Sequence, residues 1–541
     1  MKTPFIVYHI DKRCRGDHYA GMIPLFLAAL LVAETVHSRG NPIMADGRTY
    51  STDPAPLVDG DTLWILAGRD EAPDGVNDFI MNEWQLLSTK DPASGVWRHD
   101  PAIARPESVF AWAEPGRAYA GQIVKGRDGR FYLYAPVLQR EGSAAPDTKD
   151  RFAIGVAVAD RPTGPWRDAH PSGPIISQSV PVANTIQNID PTVLVDGDGR
   201  VYIYWGTFGR LRAMELAADM VTPKGPEQVV TGATGFFEAP WLMKRRGTYY
   251  LLYAANNAGP DSPCTPALYH ACQAYASAPT PMGPWTYRGV VLRPVSSTTS
   301  HAGAVEFKGR WYLTYHTADA QGGGHFRRSV AIDPMRWDDS VSPPAIRPVT
   351  PTRAPAPAPP PTRNVARGAF ATASNAPIPV QYWIAALNDG VVRANPLPPD
   401  MWGNWTARNP ASAWIEYRWP RPVTLNASRI RFFADHPAGS GEGVAPPATW
   451  HLEYWDAPKG SWRPIAGPYP TGADGFQQVR FPPVTTRCLR AVMDASGAGD
   501  RHAGLAVEEW EALSPTPAPV TPQPAETPPP CRAGAVVQTS P

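Results

Sequence analysis

The sequence predicts an all-β protein in which a five-bladed β-propeller is followed by a second β domain. Three observations support this class. The 541 residues include 64 prolines and 46 glycines, which is typical of many turns and short strands rather than long helices. A turn followed by an aromatic-rich strand recurs five times in the first part of the chain. A proline-rich stretch then separates this part from a second region rich in tryptophan.

Residues 1–38 are interpreted as a signal peptide. The apolar run at 22–33 is too short for a membrane-spanning helix, which needs ~20 residues. Lysines and arginines precede it, and residues 36–38 offer small side chains for cleavage. This interpretation predicts a secreted or periplasmic protein with no membrane attachment after cleavage. The alternative is that the run forms a buried hairpin or helix of the first domain.

The charge balance excludes one class of partner. Fifty Lys and Arg face 49 Asp and Glu, and the formal net charge is +1. Such a chain has no basic field that could neutralise many phosphates, so nucleic acid is not an expected ligand.

The cysteines fit an oxidising compartment. Cys14 would leave with the signal peptide, so four would remain. Cys264 and Cys272 are candidates for a local disulfide, and Cys488 and Cys531 for one that ties the last segment to the second domain. Spacing alone proves neither bridge, and no cysteine or histidine spacing indicates zinc.

Proline-rich segments set the predicted domain boundaries. Residues 343–362 read as a semi-rigid polyproline spacer, and residues 514–541 as a disordered tail. The folded units are therefore predicted at 41–342 and 363–513.

The five repeats predict the propeller. In each, a turn containing Gly precedes a strand anchored by an aromatic residue: Trp64, Tyr132, Tyr202, Tyr250 and Tyr312. Units of roughly 60 residues suit four-stranded sheets, and radial repetition protects their edges. A second repeat, a tight turn ending in Trp97, Trp166 or Trp285, is expected to join the outer strands. The alternative, an irregular β-sandwich, does not explain repeats that stay in phase.

Three acids lie just before predicted inner strands, where the blades meet a central channel. Asp53 and Asp190 are followed directly by proline, and Glu238 after one residue. One Asp-Pro pair alone is a common turn. Three like charges in one channel are costly, and packing gives no reason for them. Glycoside hydrolysis needs such carboxyls, one protonated and one ionised.

These motifs, with those at 79–84, 164–166, 306–312 and 326–330, resemble glycoside hydrolase family 43. The resemblance covers about residues 45–335. It implies a five-bladed propeller that cleaves arabinofuranosyl and xylosyl linkages of plant cell-wall polysaccharides with inversion. It also implies that Asp53 is the base, that Glu238 is the acid, and that Asp190 orients Glu238 and raises its pKa.

The resemblance extends to three further polar residues. His301 resembles the family's channel histidine, which often lies near a calcium ion through water, so calcium is the one expected cofactor and no organic cofactor is expected. Arg327 and Arg328 resemble a fifth-blade arginine pair, one of which commonly meets the modulator aspartate. The alternatives are a satisfied core histidine and an exposed basic turn.

Aromatic side chains near these motifs are candidates for a sugar platform. Trp84, Trp112 and Phe237 could stack on the apolar face of a sugar ring. The alternative for each is packing in the core or between blades.

The second unit has strand patterning and nine tryptophans between residues 363 and 513. Segments at 364–369, 387–390, 429–433 and 504–510 resemble discoidin-like (coagulation factor C-type, galactose-binding-like) β-sandwich domains. Such domains often bind sugars at loops on one end. A domain that only packs on the propeller is the alternative.

Together these observations predict a monomeric, exported, inverting glycosidase. Its substrate would be arabinoxylan or arabinan, from which it removes α-L-arabinofuranosyl or terminal β-D-xylosyl units. Inversion requires the acid and base carboxyls to lie about 6.5–9.5 Å apart. The alternatives are a non-catalytic lectin-like protein and an adhesion protein of the cell envelope.

Overall fold

The computed structural model describes residues 33–73, 75–145, 148–255, 264, 271–297, 299–354, 362–375, 378–379, 382–393, 395–499, 501–520 and 529–531. Within these residues the protein is almost entirely β-structure. The short helices are α1 (Pro106–Val109) and the 3₁₀ turns Pro92–Ser94, Ala366–Gly368, Ile384–Asn388 and Pro398–Asp400. In the part of the chain described here, no helix is long and apolar enough to span a bilayer.

Five antiparallel sheets form the propeller. Blade 1 contains β1 (Glu34–His37), β2 (Thr52–Asp59), β3 (Thr62–Asp70), β4 (Met81–Thr89) and β5 (Val96–Ala104). Blade 2 contains β6 (Gln122–Lys125), β7 (Phe131–Leu138), β8 (Phe152–Ala159) and β9 (Arg167–Asp168). Blade 3 contains β10 (Thr192–Val195), β11 (Val201–Trp205), β12 (Arg212–Leu216) and β13 (Pro223–Val229).

The last two blades complete the ring. Blade 4 contains β14 (Phe236–Arg245), β15 (Thr248–Ala255), β16 (Cys272–Ala278) and β17 (Thr286–Leu292). Blade 5 contains β18 (Ala302–Phe307), β19 (Arg310–Thr317) and β20 (Ser329–Met335), followed by the small pair β21 (Trp337–Asp338) and β22 (Ala345–Ile346). The innermost strands β2, β6, β10, β14 and β18 are neighbours in this order, and β18 lies against β2. The five-bladed propeller is thereby confirmed.

The predicted repeats correspond to one position in every blade. The five aromatic anchors lie on the second strands, β3, β7, β11, β15 and β19, each after the turn that leaves the inner strand. Trp166 and Trp285 directly precede the outer strands β9 and β17, and Trp97 lies on β5. The spacing of the aromatic anchors in the sequence therefore predicted the second strand of every blade correctly.

The predicted end of the signal peptide needs a correction. Residues 1–32 lie outside the described residues, but Glu34–His37 form β1, which pairs antiparallel with β5. Glu34 Oε1 also lies 2.9 Å from His99 Nδ1. Cleavage after residue 38 would remove this edge strand, so residues 34–37 belong to blade 1.

The predicted spacer is also shorter than expected. Residues 343–354 run along the propeller instead of leaving it: Val349 N donates to Val291 O over 2.7 Å, and Ala354 N donates to Asn41 O over 3.0 Å. Thr352 Oγ1 donates to Asp333 Oδ1 over 2.7 Å. Residues 355–361 lie outside the described residues.

The second domain is all-β. Its strands are β23 (Thr362–Asn364), β24 (Phe370–Ala373), β25 (Trp402–Gly403), β26 (Ser412–Phe433), β27 (Thr449–Asp456), β28 (Ser461–Pro464), β29 (Gln477–Asp494), β30 (Gly497–Ala498), β31 (Arg501–His502) and β32 (Ala506–Ala518). The long β26 pairs with β29 along most of its length, with β24 in its first half and with β32 in its second. Tyr417 stacks on Trp510 in the core at 4.2 Å. The discoidin-like resemblance stays a prediction.

The chain beyond residue 513 is not wholly a tail. The predicted boundary falls inside β32, which continues to Ala518. Residues 521–528 and 532–541 lie outside the described residues. Both candidate disulfides are confirmed: Cys264 is bonded to Cys272, and Cys488 to Cys531. The second bridge fixes residue 531 to β29.

Candidate active site

The three predicted acids lie where inner strands begin, on backbone of one unusual kind. Asp53 and Asp190 have φ values of 53° and 56°, and Ala239, which follows Glu238, has 56°. Each of these left-handed residues precedes a proline, a position that normally favours extended backbone. Such strain costs roughly 1–3 kcal/mol per residue and is concentrated at functional sites. In blade 4 the acid comes one residue before the strained position, which explains the offset of its proline.

Asp53 is buried among cationic and imidazole groups. Asp53 is only 8% exposed to solvent. Its Oδ1 accepts hydrogen bonds from Thr52 Oγ1 at 3.0 Å and from Arg328 Nη1 at 3.2 Å, and lies 3.2 Å from His316 Nδ1. Burial alone would raise the pKa of Asp53, but the charge of Arg328, with His316 and His301, lowers it well below its usual range. Asp53 is therefore ionised at neutral pH.

Arg328 is fixed between two carboxylates. Its Nε and Nη2 donate to Asp70 at 2.9 and 3.0 Å, while Nη1 reaches Asp53. The guanidinium also lies over the ring of Phe79, 4.9 Å from its centroid. The resemblance implied that an arginine of this pair would meet Asp190. The structure corrects this: the guanidinium of Arg328 donates hydrogen bonds to the predicted base, to Asp70 and to Thr299 Oγ1.

Arg327 points elsewhere. Its Nε donates to the carbonyl oxygen of Gly322 over 2.7 Å, within the same loop.

Asp190 and Glu238 form an acidic pair in which Asp190 is buried and Glu238 is half-buried. Asp190 Oδ2 accepts from Ala239 N at 3.1 Å, and Thr207 Oγ1 donates to Glu238 Oε2 at 2.8 Å. Burial, then the charge of Glu238, raises the pKa of Asp190 well above its usual range. Burial, with the charge of Asp53, raises the pKa of Glu238 to about 7, against the opposing hydrogen bond from Thr207. One end of the site thus favours a carboxylate and the other a protonated carboxylic acid.

His301 lies beside this pocket and fits a hydrated cation. Its Nδ1 is 3.9 Å from Asp53 Oδ1, and burial lowers the pKa of His301 to about 4, so the imidazole is neutral at pH 7. Gln273 Nε2 donates to Ser300 Oγ at 2.9 Å, and within the described residues Gln273 Oε1 is buried without a hydrogen-bond partner. A neutral imidazole and an unpaired amide oxygen can face a hydrated calcium ion, whose remaining ligands would be water.

A second grouping of metal-binding residue types has a different explanation. Among the described residues, Glu416, Cys488 and Cys531 bring ligand atoms together. The two cysteines are bonded to each other, so their sulfurs are not thiolate ligands.

The three aromatic residues predicted as sugar platforms have different surroundings in the structure. Trp84 is 0% exposed and donates its indole N–H to Tyr119 O over 2.8 Å, so the platform interpretation is wrong for this residue and packing explains it. Trp112 is half-buried against Phe110, with ring centroids 5.2 Å apart. Phe237 adjoins Glu238 and meets Phe208 edge-to-face at 5.5 Å.

Three polar residues of the pocket were not predicted. Asp70 ends β3, His316 lies near the end of β19, and Thr207 follows β11. All three come after the aromatic anchor of a repeat. Because the second strand runs antiparallel to the inner strand, it ends at the rim where the inner strand begins. The repeat pattern therefore contained the signal for these positions.

Known proteins resemble this chain over the propeller. A family model described as "Glycosyl hydrolases family 43" matches residues 41–342. A xylosidase/arabinosidase of Bacteroides ovatus is 29% identical over 336 residues, which cover 53% of this chain and 92% of the relative. An arabinoxylan arabinofuranohydrolase of Paenibacillus polymyxa is 33% identical over 350 residues, covering 57% of this chain and 52% of the relative.

A solved structure gives a similar result. It is a GH43 β-xylosidase/α-arabinofuranosidase from a compost microbial metagenome, in complex with xylotriose and in a calcium-free form. It is 26% identical with a TM-score of 0.47, and the match covers 59% of this chain and 98% of that chain.

Proposed function

Because the chain belongs to glycosyl hydrolase family 43, we propose that this glycosidase removes α-L-arabinofuranosyl or terminal β-D-xylosyl units from arabinoxylan- or arabinan-type polysaccharides, with inversion. The observation that carries the proposal is the contrast between two carboxyls: Arg328 donates a hydrogen bond to Asp53, which favours its ionised form, whereas burial raises the pKa of Glu238 to about 7. The names of the xylosidase, arabinosidase and arabinofuranohydrolase relatives support the substrate class.

In the proposed reaction, each carboxyl handles one proton. Asp53 takes a proton from a water molecule as the water oxygen bonds to the anomeric carbon. Glu238 gives its proton to the glycosidic oxygen as the bond from that oxygen to the anomeric carbon breaks. Asp190 accepts a hydrogen bond from the backbone N–H of Ala239, the residue after Glu238, and so orients the part of β14 that carries the acid. Arg328 holds Asp53 in its ionised form.

The proposal is tested by comparing wild type with Glu238→Ala on arabinoxylan and on two aryl glycosides. The aryl glycosides are p-nitrophenyl α-L-arabinofuranoside and p-nitrophenyl β-D-xyloside. We expect the variant to lose about 10²–10⁴-fold on arabinoxylan. The loss should be smaller on the aryl glycosides, because p-nitrophenolate leaves without a proton. Equal losses on both substrates would contradict the acid role, and no wild-type turnover of aryl glycosides or polysaccharides would favour the lectin-like alternative.

Inversion has its own measurement. Proton NMR of the first sugar released should detect the anomer opposite to that of the substrate. Release of the same anomer would contradict Asp53 as a base acting on water.

We also propose that calcium binds beside His301 with most of its ligands supplied by water. His301 and Gln273 Oε1 would face the ion, and no step of the reaction above depends on it. Calorimetric titration of chelator-treated protein with Ca²⁺ should give binding that Gln273→Leu weakens. Equal affinity in the variant would overturn this assignment.

The two disulfides support our proposal that the protein is exported, since such bonds persist in oxidising compartments. N-terminal sequencing of secreted protein should place cleavage before residue 34, because β1 belongs to blade 1. Light scattering of the same sample should give the mass of one chain, as the monomer prediction requires.

A further inference from the structure

The second domain contacts the loop that carries Arg328. This loop spans residues 318–328 and joins β19 to β20. His325, inside it, is 6% exposed, and its Nε2 lies 2.7 Å from Oδ1 of Asp400 in the second domain. The imidazole also lies 5.9 Å from the ring of Trp383, between ring centroids. A buried polar contact thus joins the two domains three residues before Arg328.

Asp400 is held firmly on its own side. It ends the 3₁₀ turn Pro398–Asp400, and its Oδ2 accepts a hydrogen bond from Leu397 N at 3.0 Å. Arg393 Nε lies 3.0 Å from Asp400 Oδ1. The carboxylate is therefore oriented by its own domain, with a cation to balance its charge, before it meets His325.

The loop is held by the segment before β2 and by hydrogen bonds of its own between Gly324 and Arg327. Its first part is fixed by Gln321, whose N–H donates to Ala45 O and whose carbonyl accepts from Tyr50 Oη, both at 2.9 Å. Three glycines at 322–324 follow, and glycine gives the backbone unusual freedom. His325 is the first residue after them, and its side chain contacts the second domain.

Aromatic contacts lead from His325 to the predicted base. The neighbouring Phe326 packs against Phe79, with centroids 4.7 Å apart. Phe79 in turn lies against the guanidinium of Arg328, which reaches Asp53. The loop bearing Phe79 is tied to the second domain as well, because Asn77 Nδ2 donates to Asn395 O.

We propose that the second domain completes the hydrolase site, with Asp400 as a positioning residue that acts through His325, Phe326 and Phe79 on the Arg328–Asp53 pair. The inference rests on the proposed function. It assigns the second domain a catalytic support role that does not depend on its binding sugar.

Full-length Asp400→Asn tests the inference against Glu453→Gln. Glu453 pairs with Arg490 at 2.8 Å inside the second domain, which makes the control a similar charge loss away from the loop. We expect Asp400→Asn to lower kcat/KM about fivefold or more, as coupled neighbouring residues do, and Glu453→Gln to leave it unchanged. The acidic limb of the pH profile should move to higher pH, because a loosened Arg328 lowers the pKa of Asp53 less.

A double-mutant cycle tests the route. Phe326→Leu alone should reproduce both changes, and the double variant Asp400→Asn/Phe326→Leu should lose little more than the worse single variant. Losses that multiply would contradict transmission through Phe326. His325→Gln alters the same His325–Asp400 contact from the propeller side, and it tests the proposal if Asp400→Asn does not fold. Wild-type kcat/KM and an unmoved acidic limb in either folded variant would overturn the proposal.

Failure of the proposed function has a separate signature. If wild type hydrolyses no glycoside, the link between Asp400 and Asp53 can still be measured. Carbon NMR of labelled aspartate carboxyls gives the pKa of Asp53, and Asp53→Asn assigns its signal. A higher pKa of Asp53 in Asp400→Asn would then support it, and an equal pKa would overturn it.

Discussion

At the residue scale, the site depends on environment more than on residue type. Asp53 is a buried carboxyl and Glu238 a half-buried one, yet Arg328 hydrogen-bonds only to the first and Thr207 only to the second. A full positive charge outweighs the cost of burying an anion, whereas one neutral hydroxyl does not. Asp53 is therefore expected to be ionised and Glu238 protonated over the same pH range.

This difference predicts the pH profile. The pKa of Glu238 is raised to about 7, so the acid is protonated below that pH and loses its proton above it. We expect kcat/KM to fall as pH rises through about 7, and to fall at low pH only where Asp53 becomes protonated. Rates measured from about pH 3 to 9 provide the test. In Glu238→Gln the limb near pH 7 should vanish; a limb that persists would belong to another group.

Arg328→Lys should impair activity although it keeps the charge. An ammonium group cannot make the two-pronged contact with Asp70 and reach Asp53 as well. We expect a loss of about 10²-fold in kcat with KM nearly constant, as for a misplaced catalytic group. Arg336→Lys, on the exposed turn after β20, is the control. A comparable loss in the control, or full activity in Arg328→Lys, would contradict the positioning role.

At the element scale, the inner strands place the acids and the second strands complete the pocket. Their antiparallel pairing brings Asp70, Thr207 and His316 to the rim that Asp53 and Glu238 occupy. The edge strand β1 has a different role, since it extends blade 1 on the outside.

Proline substitutions in β1 should destabilise blade 1. Adjacent residues of a strand alternate in the direction of their N–H groups, so Thr35→Pro/Val36→Pro removes one that faces β5. We expect a loss of up to about 3 kcal/mol and a lower Tm, compared with Thr35→Ala/Val36→Ala. Calorimetry of the secreted protein is the measurement. Equal Tm values would mean that this strand is absent from the mature chain.

The sequence predicted the order of the strands and the positions of the three acids better than it predicted which side chains contact one another. Turn and aromatic spacing located the second strands because that pattern repeats five times. It could not tell that Trp84 lies in the core, since period-two alternation does not say which face is covered. Nor could it assign Asp70 to Arg328, because these residues are brought together only when the first and last blades meet.

At the scale of the whole molecule, the two domains are joined by direct contacts as well as by the chain. The chain follows the propeller through residue 354, and the second domain contacts the loops at residues 77 and 325. Its own last described residue is held by the Cys488–Cys531 bond.

Removal of that bond should mainly weaken the second domain. The bridge closes a loop with a sequence separation of 43 residues, and such closure contributes about 3–4 kcal/mol in the chain-entropy model. Cys488→Ser/Cys531→Ser should therefore unfold at lower denaturant concentration, while Cys264→Ser/Cys272→Ser, with a separation of 8, should lose less. Chemical denaturation followed by tryptophan fluorescence compares the two. The reverse order would contradict the loop-closure account.

The contact between Asn41 and Ala354 brings the segment that follows β1 side by side with the end of the propeller unit. A ring whose two ends touch has no structurally obligatory first blade. The unit is therefore suited to circular permutation, with a linker that joins residue 354 to the start of β1 at residue 34 and a new opening at an exposed hairpin such as Asp198-Gly199. Such a permutant would present the same pocket from a different chain order.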